Sequence, residues 1–527
     1  MGRLRWLAVA AGVAMVAGLG AAYWVGPDDW IDSPAQVVNP GGEVAAVTNY
    51  GLLSQSLPMR ISASSSDGEV FIGIGHAVDV DDYIATTATA QIGWFSPAGL
   101  MAESRPAQNP TLPAAPAGLD FWRAKAAGTG TQSVAGHFAG QPIEAFVATP
   151  SGESKPLRLS IGSQVPGAFA ISLSLASVGV VLLVGALWFR RRQQRQLVAP
   201  AEETAEPTHS PLRALRTVAV ALLSCSVLLA GSGCAAEELV GNVPLSPRKE
   251  LTRDPLDGLD LTALAADYNR RNDAALAAAA APRYSEKEWA AADAELSLHS
   301  DRHYTAWRKA TKDKDQPGQC PVRLGQAYPG KASAHYPLTI VVSYGWTCGK
   351  AAKDPVKNFA VFIRNHPYDP WLHAAVVGAS GTAPPPPAHQ PPDASAQALF
   401  ESATSALATQ LTTGKAAFTL PADLIKWRRG ALKPTSWCTN KWTVAALPNA
   451  VRAFQTEQGT FAISSFTVSE HFSAKPGHRV GWDLPERAVY PHSASPTDAF
   501  RTIGLVLVLQ LTAGEVTISN WYAPDYS

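Results

Sequence analysis

The chain has 527 residues, with 43 Lys plus Arg balanced by 43 Asp plus Glu, so its formal net charge is zero. That balance excludes the basic field with which a protein collects nucleic-acid phosphates. Charged residues make up only 16% of the chain, below the roughly 25% usual for soluble domains, as expected of a chain that spends residues on membrane spans.

Residues 6–25 are uncharged and follow Arg3 and Arg5. A helix of about 20 residues rises about 30 Å, the thickness of a bilayer's hydrocarbon core. The expectation is a transmembrane helix or signal anchor. A cleaved signal peptide is the alternative, given small residues at Gly20 and Ala22.

Residues 26–167 carry short apolar runs at 57–62, 70–74, 120–124, 131–137, 143–149 and 157–161, separated by Gly, Pro and Ser. Short strands with turn residues between them predict a β-sandwich-like ectodomain. Residues 79–90 read as a helix capped by Asp79 or Asp81, and 97–118 as a Pro/Ala-rich loop. Gly73 and Gly75 form a GxG with no third glycine and no βαβ unit after it. They are expected to let a strand bend or pack closely.

A second span is predicted at 168–189, running into Arg190, Arg191, Arg192 and Arg195. A third is predicted at 217–236, after Arg213 and Arg216. The arginines fall at the N-terminus and in 190–216, so the positive-inside rule makes 190–216 a cytoplasmic loop. Residues 26–167 and 237–527 are then extracytoplasmic. The third segment has a second reading as a lipoprotein signal. Small residues from Ala230 to Gly233 precede Cys234, the lipidation candidate, although Gly231 stands where such signals usually have Leu.

The last portion divides at a Pro-rich linker, 383–393, into segments 237–382 and 394–527. On the left, Leu261, Leu264, Ala265 and Tyr268 recur at helical spacing, and a second helical stretch covers 286–312. Strand-like runs follow at 322–327, 338–346, 359–364 and 372–377. On the right, 396–411 reads as a helix. Strands follow at 443–447, 451–454, 460–468, 503–511 and 515–521. Helices followed by an antiparallel meander predict two tandem α+β units, each a helix on a sheet. The fold class expected is a multi-domain membrane protein: a β-sandwich-like ectodomain, two α+β units and three transmembrane helices. Cys320 lies just before one predicted strand and Cys348 just after the next. An antiparallel pair sets those ends side by side, so the two cysteines are the disulfide candidates, leaving Cys438 over or able to pair with one of them instead.

Two family resemblances appear. The run EVFIGIGHAVDVDDYIA (Glu69–Ala85), LDFWRAKAAGTGTQ and a span ending in FRRR resemble an actinobacterial membrane-protein ectodomain family over about 45–195. The helix ADYNRRNDAAL, FAVFIRNHPYDPW (Phe359–Trp371) and FQTEQGTFAISSFTV resemble an uncharacterised actinobacterial lipoprotein family over about 230–525. The chain reads as a membrane protein fused to a lipoprotein. Neither resemblance implies a reaction or carries over a functional residue.

Chemistry-bearing motifs are sparse. His299 and His303 share a helix face, but Ser300 stands where a zinc protease needs its glutamate base, so they read as surface histidines. Asp79, Asp81 and Asp82 lack the glycine turn and distal glutamate of a calcium loop. No catalytic, metal or cofactor residue is assigned. Trp122, Trp346, Trp371, Trp437, Trp442 and Trp521 read as core or as ligand-cleft residues.

The function expected is a membrane-anchored cell-envelope protein, a binding or scaffolding protein rather than an enzyme. Its expected partners are the lipid bilayer and other envelope proteins, with no nucleic acid, and its ligand is unspecified. The alternative is an envelope enzyme with a site in the concave face of an α+β unit. A sensor ranks last, because the cytoplasmic loop is too short for a signalling domain. A closed apolar concavity favours structure or protein binding, whereas a buried carboxylate and histidine in a pocket favour catalysis.

Overall fold

The computed structural model describes residues 2–197, 241–242, 251–347, 356–379, 383–482, 489–490 and 497–526, apart from single positions within these ranges. The chain divides into two compact units, Met1–Leu251 and Thr252–Ser527. The expected third span at 217–236, with Cys234, and the expected cytoplasmic loop beyond 197 lie outside the described residues.

The first unit begins with helix α1 (Gly2–Val25). Strands β1 (Trp30–Asp32), β2 (Gln36–Val37), β3 (Ala45–Thr48), β4 (Met59–Ser65) and β5 (Glu69–His76) follow, then α2 (Ala77–Tyr83), then β6 (Thr89–Ser96), β7 (Gly99–Arg105), β8 (Trp122–Thr129), β9 (Gln132–Gly136), β10 (Ile143–Ala148) and β11 (Leu157–Gln164). Helix α3 (Ala168–Leu197) comes next, and a short strand β12 (Gly241–Asn242) pairs with β6. One sheet runs β1-β11-β4-β9 and the other β12-β6-β3-β10-β5-β8. Alternation explains their contact. Met59, Ile61 and Ala63 of β4 and Leu157, Leu159 and Ile161 of β11 point inward. They meet Val70, Ile72 and Ile74 of β5 in one core, so the β-rich part of the first unit is a two-sheet sandwich.

Strand β5 is buried on both faces. Its outer face carries Phe71, which packs with Trp122 and Phe146 under α2 and Tyr83. A Cβ at Gly73 would lie 2.5 Å from the Trp122 ring, so close packing requires glycine there. Two local expectations are corrected. Helix α2 ends at Tyr83, and its cap is His76, whose Nδ1 accepts from the Val78 N–H at 3.2 Å. Asp79 is buried in the helix instead of capping it. Residues 99–105, expected in a loop, form β7 against β6.

Helices α1 and α3 contain apolar stretches, Trp6–Val25 and Ala168–Arg192, long enough to cross a membrane, and only 22% and 17% of them, respectively, is buried. A soluble core helix would bury that surface. The two pack antiparallel through glycines. A Cβ on Gly18 would come within 2.5 Å of the Ala176 backbone nitrogen, and one on Gly179 within 2.6 Å of the Met15 nitrogen. Close backbone approach through small residues is how helices associate in lipid, where burying apolar surface gives no advantage. Asp29, between α1 and the sandwich, accepts from the N–H groups of Gly167 and Phe169 at 2.9 and 2.8 Å. It thereby satisfies donors at the start of α3, and these bonds hold its carboxyl below the usual range.

The second unit contains α4 (Leu261–Ala279), α5 (Glu295–Thr311), and strands β13 (Val322–Tyr328), β14 (Leu338–Trp346), β15 (Asn358–Arg364) and β16 (Leu372–Gly378). Then come α6 (Ala394–Thr413), α7 (Ala422–Ala431), and strands β17 (Cys438–Thr456), β18 (Gly459–Ala474), β19 (Asp498–Thr512), β20 (Glu515–Tyr522) and β21 (Asp525–Tyr526). Each sheet is an antiparallel meander, β13-β14-β15-β16 and β17-β18-β19-β20, with β21 against β19. Helix α4 lays Leu264 and Tyr268 on Ile340, Val342 and Phe362. Helix α6 lays Phe400, Leu407 and Leu411 on Phe466, Leu505 and Leu507. These are the two helix-on-sheet assemblies expected.

They are not separated by a spacer. The other faces of the two sheets pack together, Val341, Phe359 and Val361 meeting Phe454, Ile463 and Val506. The proline run lies along this junction: the Tyr328 hydroxyl donates to the Pro385 carbonyl at 2.9 Å, and the Glu457 N–H donates to that of Pro386 at 2.9 Å. The strands expected at 443–447 and 451–454 are one strand, β17, with a register shift between Ala446 and Val451.

Candidate functional site

Within the second unit, a cavity of about 210 Å³ opens between α4, α5 and the first sheet, with Val506 and Tyr522 of the second sheet also lining it. A backbone bridge builds its polar end. The His373 N–H on β16 donates to the Ala292 carbonyl at 3.0 Å, and the Ala294 N–H donates back to the His373 carbonyl at 2.8 Å. This parallel bridge sets Asp293 beside His373. Asp293 Oδ1 lies 3.6 Å from His373 Nδ1, an ion-pair distance. The Tyr268 hydroxyl, from α4, donates to the same oxygen at 3.2 Å.

Aromatic stacking fixes the imidazole ring. Tyr344 lies parallel to it, with centroids 5.3 Å apart and planes 5° apart. Tyr268 meets it edge-on at 5.7 Å, and Trp346 stands perpendicular to Tyr344 at 5.0 Å. His373 is 6% exposed and lines the cavity, and its Nε2 has no hydrogen-bond partner. With Nδ1 turned to a carboxylate, the neutral ring carries its proton there and presents Nε2 as an acceptor.

Asp301 lines the same cavity from α5. Burial, and then the neighbouring Asp293, push its carboxyl well above the usual range. Two carboxyl groups hydrogen-bond only when one holds a proton. Asp293 Oδ2 is buried without a hydrogen-bond partner, an acceptor left open near Asp301. Burial likewise raises the Tyr268 and Tyr344 hydroxyls. One cavity therefore holds a carboxyl that keeps its proton more readily than usual and an imidazole nitrogen without a partner, groups of the kind that serve acid–base chemistry.

The histidines expected at the surface are placed differently. His303 is 8% exposed and packs on the Tyr490 ring, while burial lowers the half-buried His299. Among the described residues, no group of three or more His, Cys, Asp or Glu could hold a metal ion. Of the six tryptophans singled out, Trp346 lines the cavity. Trp122 is buried, Trp442 donates to Glu470 at 2.7 Å, and Trp521 packs on Trp427. Cys320 lines the cavity and is disulfide-bonded, whereas Cys348 lies outside the described residues. Cys438 is a buried free thiol.

Asp293, Asp301 and His373 were not among the residues the sequence pointed to, and Tyr268 was noted only for its helical spacing. Asp293 and His373 are far apart in the chain and joined by an isolated bridge, so no local pattern reveals them.

No protein-family model and no curated protein matches the chain. Among solved structures it is similar to the intermembrane space region of the chloroplast protein ARC6, at 11% identity over 25% of this chain and 98% of that one, with a TM-score of 0.15. A likeness that weak carries no argument about fold or function.

Proposed function

We propose that this is a membrane-anchored cell-envelope protein whose folded units lie on the extracytoplasmic side, and whose second unit binds a small molecule in the His373 cavity. The observation that carries the binding reading is the His373 imidazole of the cavity lining: buried, stacked on Tyr344, its Nδ1 3.6 Å from Asp293 and its Nε2 without a partner. An unsatisfied buried acceptor costs about 1–3 kcal/mol, a cost that a bound donor relieves. The apolar α1–α3 pair supports anchoring, and the arginines flanking it support an N-terminus inside. Thermal-shift screening of the full-length protein in detergent against small polar aromatics tests binding. Stabilising compounds are expected, and the bulky Ser300→Trp substitution at the cavity wall is expected to abolish their effect.

A second reading is an envelope enzyme working by acid–base catalysis. It is favoured by the Asp293–His373 geometry, which matches an oriented general base beside the protonated Asp301. Incubation with a metabolite mixture separates the two readings. Consumption of a compound by wild type but not by His373→Gln supports catalysis, and binding without consumption supports the receptor.

A further inference from the structure

We infer that the His373 cavity takes a small organic amine, bound as its cation or as a hydrogen-bond donor, with the ammonium or amine group directed at Asp301 and His373. This deepens the small-molecule reading and rests on it.

Asp301 lines the cavity and Asp293 lies directly behind it, yet no lysine or arginine is among the lining residues. The arginines nearby are engaged elsewhere. Arg271 Nε donates to Asp267 Oδ2 at 2.9 Å, and its terminal nitrogens donate to the carbonyls of Ala291 and Trp371. Arg308 Nε donates to Asp313 Oδ2 at 2.9 Å. Apart from His373 beside Asp293, the buried pair of carboxyl groups has no cationic side chain at the cavity. A buried charge is stable only when paired, and here the missing positive partner would come from the ligand.

Hydrogen-bond polarity gives the second argument. The partnerless Nε2 of His373 is an acceptor in the tautomer that Asp293 favours. Asp301 adds carboxyl oxygens to the cavity lining. Acceptors call for N–H or O–H donors and repel carboxylates. The aromatic walls supply the third. Tyr268, Tyr344 and Trp346 are among the lining residues, and a cation is attracted to aromatic rings. Val322, Ala375 and Val506 offer apolar contact to the remainder of the ligand.

Size sets the probe. A cavity of about 150 Å³ accepts benzene, so one of about 210 Å³ accepts a substituted benzene. Calorimetric titration of the full-length protein in detergent with benzylamine, benzyl alcohol and benzoate is the test. Benzylamine is expected to bind at least about tenfold more tightly than benzyl alcohol, as charge-assisted hydrogen bonds are about twice as strong as neutral ones. Benzoate is expected not to bind. An ammonium beside Asp301 favours its ionised form, so Asp301→Asn, which keeps size but cannot ionise, is expected to erase the preference for the amine over the alcohol. If benzyl alcohol or benzoate binds as tightly as benzylamine, the amine assignment is overturned and the small-molecule reading stands. If none of the three binds, both are overturned.

Discussion

His373 and Asp293 face one another because their backbones exchange hydrogen bonds across an isolated bridge, with Nδ1 and Oδ1 ending 3.6 Å apart. The polar end of the cavity depends on that bridge. The carboxylate of Asp293 meets Tyr268, His373 and Asp301 at once. Asp293→Ala is therefore expected to destabilise the second unit by about 2–3 kcal/mol, because buried donors lose their acceptor. Denaturant unfolding of the full-length protein checks this, and a loss below about 0.5 kcal/mol would show the network to be incidental.

Asp301 makes stability depend on pH in a defined direction. Its folded-state pKa is raised by burial and by Asp293, so the folded chain keeps a proton that the unfolded chain releases. This contribution is fully present below the unfolded value of about 3.9. It declines as pH rises toward the raised folded value and is flat above it. Asp301→Asn removes the ionisation. The variant is expected to gain stability relative to wild type across that interval, read as Tm against pH. Parallel profiles for the two proteins would contradict the assignment.

The α1–α3 contact gives a steric prediction. Gly18 and Gly179 have no room for a Cβ against the facing backbone. Gly18→Leu or Gly179→Leu is expected to cost about 1–3 kcal/mol, the usual price of overpacking, measured as unfolding in lipid nanodiscs. Gly12→Leu, with nothing within 4 Å, is the control and is expected to be neutral. Equal effects at all three positions would argue against a glycine-mediated pair.

Cys320 is disulfide-bonded, and Val322 lies opposite Trp346 in the antiparallel ladder. That register supports Cys348 as the partner. Non-reducing peptide mapping is expected to recover a Cys320–Cys348 peptide. Reduction is expected to destabilise the second unit by about 3 kcal/mol in the chain-entropy model. A peptide joining Cys320 to Cys438 would refute this pairing.

Much of the fold was legible in the sequence where one pattern dominates. Met59, Ile61 and Ala63 alternate, and Leu264 and Tyr268 recur at helical spacing, so β4 and α4 stand near their expected places. Strand β7 was missed because Ala102–Arg105 are exposed at a sheet edge and show no alternation. Helix α7 was missed because charged Lys426, Arg428 and Arg429 crowd a short segment in which only Leu424 is fully buried. Two back-to-back sheets also look like two separate domains when read along the chain, since Phe359 and Phe454 meet only in the folded unit. The site was illegible for the same reason: its members come from two helices, a loop and two strands, and tertiary pairing alone assembles them.

The central claim is that small molecules bind against the free nitrogen of His373. Nitrogen NMR of the histidine rings in full-length protein, assigned with His373→Gln, tests it directly. Titration with a compound that stabilises the protein is expected to move the His373 Nε2 resonance, with the other histidines unmoved. An unchanged His373 resonance at saturating ligand would contradict the claim.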